Sequence, residues 1–226
     1  MDMAGQTRPT PIAGPDSFAE ALKVPRETIH RLIRYAELLT EWQGRQNLVS
    51  ANSLPHLWDR HFADSAQLIA LAPEARLWLD LGSGAGFPGL VVAILKVEDP
   101  DFRMHIVETT AKKCAFLAEV ARATQAPVEI HAMRIEDLPR QVQNLKPEVI
   151  SARALAPLPQ LLDLAAPFFG PETRGLFLKG CDAEREVTAA AKRWSFASRL
   201  HPSLTAPQSA IVEISGLHKR RKAKTR

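Results

Sequence analysis

Asp80-Leu81-Gly82-Ser83-Gly84-Ala85-Gly86-Phe87-Pro88-Gly89 decides the fold, together with the apolar run Leu77–Leu81 that leads into it. Four glycines in eight residues let the chain turn sharply and bring a ligand against bare backbone. Pro88 suits the first turn of a helix whose free N–H groups point at the same space. A strand, a glycine turn and a helix in that order make a ligand loop at the carboxyl end of an opening strand.

Outward from this loop, short apolar runs alternate with helical segments. The runs are Leu77–Leu81, Met104–Val107, Val128–Ile130, Val149–Ser151 and Leu176–Leu178, and the helices are expected near 88–97, 110–123, 136–143, 157–168 and 182–193. Five strand–helix units imply a parallel sheet covered on both faces. Ser195–Leu200 and Ala210–Ser215 have only a proline-containing loop between them, which predicts an antiparallel edge hairpin. Upstream, Ile29, Leu32, Ile33, Ala36 and Leu39 recur at helical spacing after Pro25. A second helix is expected from about Pro55 to Leu71 with Ser53 as its cap. Residues 1–16, rich in Pro and Gly, are expected to be disordered, 17–75 helical, 76–216 the main domain, and 217–226 a basic tail.

Two ligands compete for the loop. Gly84 to Gly89 matches GxGxxG, a dinucleotide signature, and Glu108 stands about where a ribose-binding acid should. With Asp80 included the string becomes DxGxGxG, the pattern of S-adenosylmethionine-dependent methyltransferases. An acid beside the loop suits that cofactor's cationic amino acid end and crowds a pyrophosphate. The hairpin ending also fits the methyltransferase sheet. Glu108, closing Met104–Val107, can accept both ribose hydroxyls, or cap the helix that follows, or do both. In Ala132–Asp137, Ile135 can pack on adenine and the Glu136 region can meet its edge; an ordinary helix N-terminus explains the same residues.

The composition limits the function classes. With 226 residues, 46% hydrophobic and 24% charged, the chain can bury one sizeable α/β core and is not globally disordered. Nothing approaches a membrane span, and the first residues hold acids and prolines with no apolar h-region, so no secretory signal is expected. Cys114 and Cys181 lack zinc-ligand spacing, so a reduced, cytoplasmic protein with no metal is expected. Six of the 29 Lys/Arg lie in residues 217–226, and without them the 25 acids outnumber the bases. A basic arm of this kind suits a polyanion and steers association.

The chain resembles the RsmG (GidB) family of small-subunit ribosomal RNA methyltransferases. The resemblance rests on GSGAGFPG, ETTAKKCAFL, MRIEDL, SARAL and FLKG, with NLVS and WDRHFADS upstream, and covers about residues 25–215. It implies a class I S-adenosylmethionine-dependent methyltransferase fold: α/β, Rossmann-like, with a mostly parallel seven-stranded sheet ending in an antiparallel hairpin and preceded by helices. It implies transfer of a methyl group to N7 of a guanine in 16S ribosomal RNA, near the decoding site. Cofactor contacts are implied at Gly82, Phe87, Ile135, Glu136 and Arg153; Asp80, Gly84 and Glu108 follow from the loop argument above.

Guanine N7 already carries a lone pair, so no base is needed and no catalytic side chain is expected. Alignment with the methyl group at about 3–3.5 Å is expected to do most of the work. Arg153 could hold a phosphate, the guanine O6 or the cofactor carboxylate, or merely close a salt bridge. Lys179 could meet RNA or the carboxylate, or stay solvated. His61 and Asp64 share a helical face, with Arg60 four residues before Asp64; His61 is a substrate-binding candidate, and an Arg60–Asp64 pair is the plain alternative. Asn47, Lys112 and Lys113 are weaker candidates. The expected partner is 16S ribosomal RNA or the small ribosomal subunit, and the expected state a monomer. A methyltransferase with another substrate, an RNA-docking module without turnover, and a nicotinamide dehydrogenase are the alternatives.

Overall fold

A computed structural model describes residues 12–220. Each apolar run becomes a strand: β1 (Leu77–Leu81), β2 (Arg103–Glu108), β3 (Val128–Ala132), β4 (Val149–Arg153), β5 (Arg174–Lys179), β6 (Trp194–Pro202) and β7 (Ala210–Lys219). They form one sheet in the order β3-β2-β1-β4-β5-β7-β6. β1 to β5 pair in parallel, and β7 runs antiparallel to both β5 and β6. The order reverses between β1 and β4, and the crevice at that switch point is where such sheets bind ligands.

The strand period of two divides the core. Trp78 packs with the layer formed by α2 (Arg26–Gln43), α3 (Asp64–Leu71), α4 (Gly89–Leu95) and α5 (Ala111–Thr124). Leu79 and Leu81 pack with the opposite layer, which holds α6 (Leu138–Gln141), α7 (Leu158–Ala165) and α8 (Ala183–Ala190). The upstream helices therefore cover one face of the sheet and reach the mouth of its crevice.

Two expected boundaries move. Helix α1 (Pro15–Leu22) begins inside the segment expected to be disordered. Pro15 opens it, the Ser17 hydroxyl and Gly14 backbone bond to each other, and the fully buried Phe18 packs edge-on against Trp58 at 5.5 Å. Strand β7 runs through Lys219, because Ser195 and Trp194 pair with His218 and Lys219, so 217–219 are sheet and not tail. Residues 1–11 and 221–226, including most of the basic arm, lie outside the described residues.

The helix expected over 55–71 is also not uniform. A single 3-10 turn (Leu54–His56) leads into a π-helical turn (Trp58–Ala63) and then α3. Ser53 does not cap it; its hydroxyl donates to the Ser50 carbonyl at 2.9 Å. Such wide turns recur at functional sites because they re-aim side chains and free backbone groups.

Candidate active site

The glycine loop is fastened to β2. The amides of Gly82 and Ser83 donate to the Val107 carbonyl at 2.9 and 3.2 Å. Gly84 has φ +61° and no neighbouring atom within 4 Å of where a Cβ would stand, so left-handed backbone and an open ligand face require glycine there. Behind the loop the chain's single tyrosine, Tyr35 of α2, donates its hydroxyl to the Ala85 carbonyl. Tyr35 also stacks on Phe87 at 5.5 Å.

Asp80 departs from its expected role. It is fully buried and does not line the crevice. One oxygen accepts the Gly89 amide at 3.1 Å and the other accepts the Ser151 hydroxyl at 2.7 Å. The acid thus ties the first turn of α4 to β4 instead of meeting a ligand's ammonium. Gly89 is required by this contact, since a Cβ would stand 2.8 Å from the carboxylate.

Burial raises the Asp80 carboxyl from 3.8 to about 6, against the opposing hydrogen bonds from Ser151 and Gly89. A raised carboxyl binds its proton more tightly in the native state than in the unfolded one, so its contribution is lost as pH rises from about 4 to about 6. Asp80→Asn is expected to remove that slope, by up to about 3 kcal/mol across the window. Urea unfolding of both proteins at pH 4.5 and 7 checks it; identical pH dependence refutes it.

The Glu108 carboxylate reaches the crevice. Its Oε1 accepts the Thr109 and Thr110 amides, both at 2.9 Å, and its Oε2 accepts the Gly84 amide at 3.0 Å. The first oxygen is saturated and the second keeps one acceptor position. One ribose hydroxyl, not the expected two, can be taken directly. The carboxylate thus fastens the turn that leads from β2 into α5 and keeps one acceptor position toward the crevice.

Glu108 lines a cavity of about 560 Å³ with Gly82, Gly84, Phe87, Ile135, Glu136, His61, Arg153 and Leu155 among its walls. Ile135 is buried beside Met133 and Leu164, an apolar wall for a purine, while Glu136 is exposed at the rim. These residues fit S-adenosyl-L-methionine: a carboxylate for the ribose, an apolar slot for adenine and open glycine backbone between them. Lys113 also lines the cavity, whereas Asn47 is exposed and its neighbours Leu48 and Val49 form the wall instead. Lys112 is exposed, and its carbonyl accepts a bond from Gln46 at 3.4 Å.

A second cavity, of about 700 Å³, adjoins the first and shares His61, Arg153, Ala154 and Leu155 with it. Arg153 organises the shared wall. Its guanidinium donates to the Arg60 carbonyl at 2.8 Å, contacts Asp64 at 3.4 Å, meets His61 Nδ1 at 2.6 Å and lies 4.9 Å over the Phe87 ring. Among the described residues Asp64 pairs with Arg153 and not with Arg60, because the π turn presents Arg60 through its backbone.

Burial, then the charges of Arg153 and Arg60, holds His61 at a pKa of about 3. Arg153 can only donate, so the neutral ring accepts at Nδ1 and carries its hydrogen on Nε2. That Nε2 is buried without a hydrogen-bond partner among the described residues. Asp64 is held further by Thr205 and Gln67, both at 2.9 Å, so the β6–β7 loop and α3 brace the same centre. Burial nevertheless pushes the Asp64 carboxyl above its ordinary value.

Lys179 is neither solvated nor in the cofactor cavity. Its ammonium donates to the Ala156 carbonyl at 2.6 Å and pairs with Glu186 at 2.8 Å, on the far wall of the larger cavity. Glu186 also accepts the Leu158 amide, so the pair fastens the β4–α7 turn to α8. Lys179→Met is expected to cost about 1–3 kcal/mol by stranding Glu186. It is expected to leave S-adenosylmethionine affinity within twofold; a tenfold loss in a titration would refute that placement.

Sequence reasoning missed Tyr35, Ser151, Leu155 and Thr205. Only Tyr35 carried a signal, as a lone phenol on a buried helical face.

A family model described as GidB, rRNA small subunit methyltransferase G, matches residues 28–212. "Ribosomal RNA small subunit methyltransferase G" of Parvibaculum lavamentivorans is 52% identical over 204 residues, covering 90% of this chain and 89% of that protein. The protein of the same name from Methylobacterium sp. strain 4-46 is 50% identical, covering 86% and 91%. Among solved structures, the O-methyltransferase from Bacillus cereus in complex with SAH aligns with a TM-score of 0.59 at 13% identity, covering 88% of this chain and 96% of that one. The O-methyltransferase TomG from Streptomyces achromogenes, in complex with SAM, gives 0.57 at 15%, covering 89% and 96%. These two likenesses show the fold, while the sequence matches reach across both cavities and the wall between them: the chain belongs to the GidB family, rRNA small subunit methyltransferase G.

Proposed function

We propose that this chain transfers a methyl group from S-adenosyl-L-methionine to N7 of a guanine in 16S ribosomal RNA. The cofactor occupies the smaller cavity, the guanine the larger one, and the two meet at the Arg153–His61 wall. When bound, the cofactor supplies a methyl group on a positively charged sulfur. The observation that carries the reading is the state of His61. Its lone-pair nitrogen, Nδ1, is engaged by the Arg153 guanidinium at 2.6 Å, so the ring has no free position at which to take a proton. A nucleophile with a free lone pair, as guanine N7 has, needs none.

The residues instead hold and orient. Glu108 and Gly84 fix the ribose end, and Ile135 walls the adenine. Phe87 and the uncharged His61 ring place no net charge beside the sulfonium. Arg153 positions His61, and Asp64 offsets its charge so that a cationic purine product is tolerated. Gly82 and Glu136 complete the two ends of the cofactor site. The helical region 17–75 closes one side of the methyltransferase domain. The chain acts as a cytoplasmic monomer on ribosomal RNA or the small subunit; no helix among the described residues is long and apolar enough to cross a membrane.

The test is to map N7-methylguanosine in 16S ribosomal RNA from cells with and without this protein, then restore it with the purified protein on isolated subunits and on naked RNA. One N7-methylated guanine is expected to vanish and return. An unchanged map overturns the reading; cofactor binding without any methyl transfer would favour an RNA-docking role.

A further inference from the structure

We propose that His105, Glu129 and His131 form a binding site for a zinc-class divalent cation on the β2–β3 side of the sheet. The site is independent of the two cavities. His105 lies on β2 and faces Glu129 on the adjacent β3, in direct register, while His131 follows two residues later on the same side of β3. His105 Nδ1 and His131 Nε2 are 2.9 Å apart, and a Glu129 oxygen lies 3.7 Å from each. All three donor atoms fall within 4.8 Å of one another.

Two imidazoles and a carboxylate are the ligand set for zinc, with a water completing a tetrahedron. Nitrogens bound at about 2.0–2.1 Å to a tetrahedral ion stand roughly 3.3 Å apart. The pair needs to open by only a few tenths of an ångström, with both rings turning their lone pairs toward the carboxylate. At present one hydrogen bridges the two nitrogens. On binding, that hydrogen moves to the far nitrogen of the same ring, so both donors are free and no proton is lost from the pair. Burial holds both imidazoles below their ordinary pKa, which keeps them neutral and able to ligate at neutral pH.

Both histidines are largely buried while Glu129 is exposed, so the open position faces solvent. The Met133 amide donates to the His131 carbonyl at 3.0 Å, so the strand that carries two of the ligands runs on into the loop that lines the smaller cavity. The site was invisible in the sequence, where the ligands are 24 and 26 residues apart with no cysteine among them. Strand register alone assembles it.

The test uses the full-length protein stripped with chelator, titrated with Zn²⁺ by calorimetry and with Co²⁺ by visible absorption. One equivalent is expected to bind, with a tetrahedral cobalt band and a raised melting temperature. Glu129→Gln, an exposed change, is expected to weaken binding at least tenfold, and His131→Asn or His105→Asn to abolish it. If one His variant fails to fold, the other and Glu129→Gln still decide. Absence of binding by the wild type at millimolar metal overturns the proposal. So does binding that all soluble variants retain, which would place the metal on other histidines.

Discussion

Arg153→Ala is expected to lower methyl transfer by at least 100-fold, about 2.7 kcal/mol of barrier. Its guanidinium joins four groups of the shared wall: the Arg60 carbonyl, Asp64, His61 Nδ1 and the face of Phe87. Removing it frees His61 to turn and leaves a mostly buried Asp64 with only Thr205, Gln67 and Ser203. Breaking a largely buried pair from one side is expected to cost about 3 kcal/mol of stability. Arg153→Lys separates the two effects: a lysine can return the charge to Asp64 and recover most of the stability, but it cannot reproduce the fork to three partners. Activity is therefore expected to stay at least 30-fold down in a stable protein. In Arg153→Ala the His61 titration, followed by NMR, moves up from about 3 yet remains below its ordinary value, since burial is the larger cause. Activity within threefold of wild type in both variants would show that the wall between the cavities is not where the reacting groups meet.

Glu108→Ala is expected to raise the dissociation constant for S-adenosylmethionine by about 100-fold. A single charge-assisted hydrogen bond is worth about 1.5–3 kcal/mol, roughly 10–100-fold. The remainder comes from the loop, because the same carboxylate holds the amides of Gly84, Thr109 and Thr110. Glu108→Gln keeps one acceptor oxygen and is expected to fall between wild type and alanine. Calorimetric titration measures both, with thermal melts to confirm folding. An affinity within threefold for alanine would move the ribose away from Glu108 and empty the cavity assignment of its main polar contact.

The difference between Glu108 and Asp80 shows how far residue pattern reaches. Both are acids at strand ends beside the glycine loop, and both were expected to meet the ligand. Glu108, at the end of β2, turns into the crevice; Asp80, inside β1, faces the helical layer and is sealed under Gly89. The DxGxGxG string marks the loop correctly while misplacing the function of its first residue. Asp80 secures the turn by joining Gly89 to Ser151, and its carboxylate is not part of the cavity lining. Lys179 shows the same limit: its residue type left RNA, the carboxylate and solvent open, and only the fold gives its ammonium to Glu186 and the Ala156 carbonyl on the wall of the larger cavity.

The order of strands and helices, the terminal hairpin and the position of the ligand loop were set by the sequence alone. They depend on hydrophobic period, glycine and proline, which act over a few residues and leave a local mark. The Arg153–His61–Asp64 centre, the two adjoining cavities, the π turn that aims Arg60's carbonyl and the His105–Glu129–His131 cluster were decided only by tertiary structure. Their partners lie tens of residues apart, and strand register with layer packing brings them within hydrogen-bonding reach. No local pattern records such distances, because they are a property of how the faces of the sheet are covered.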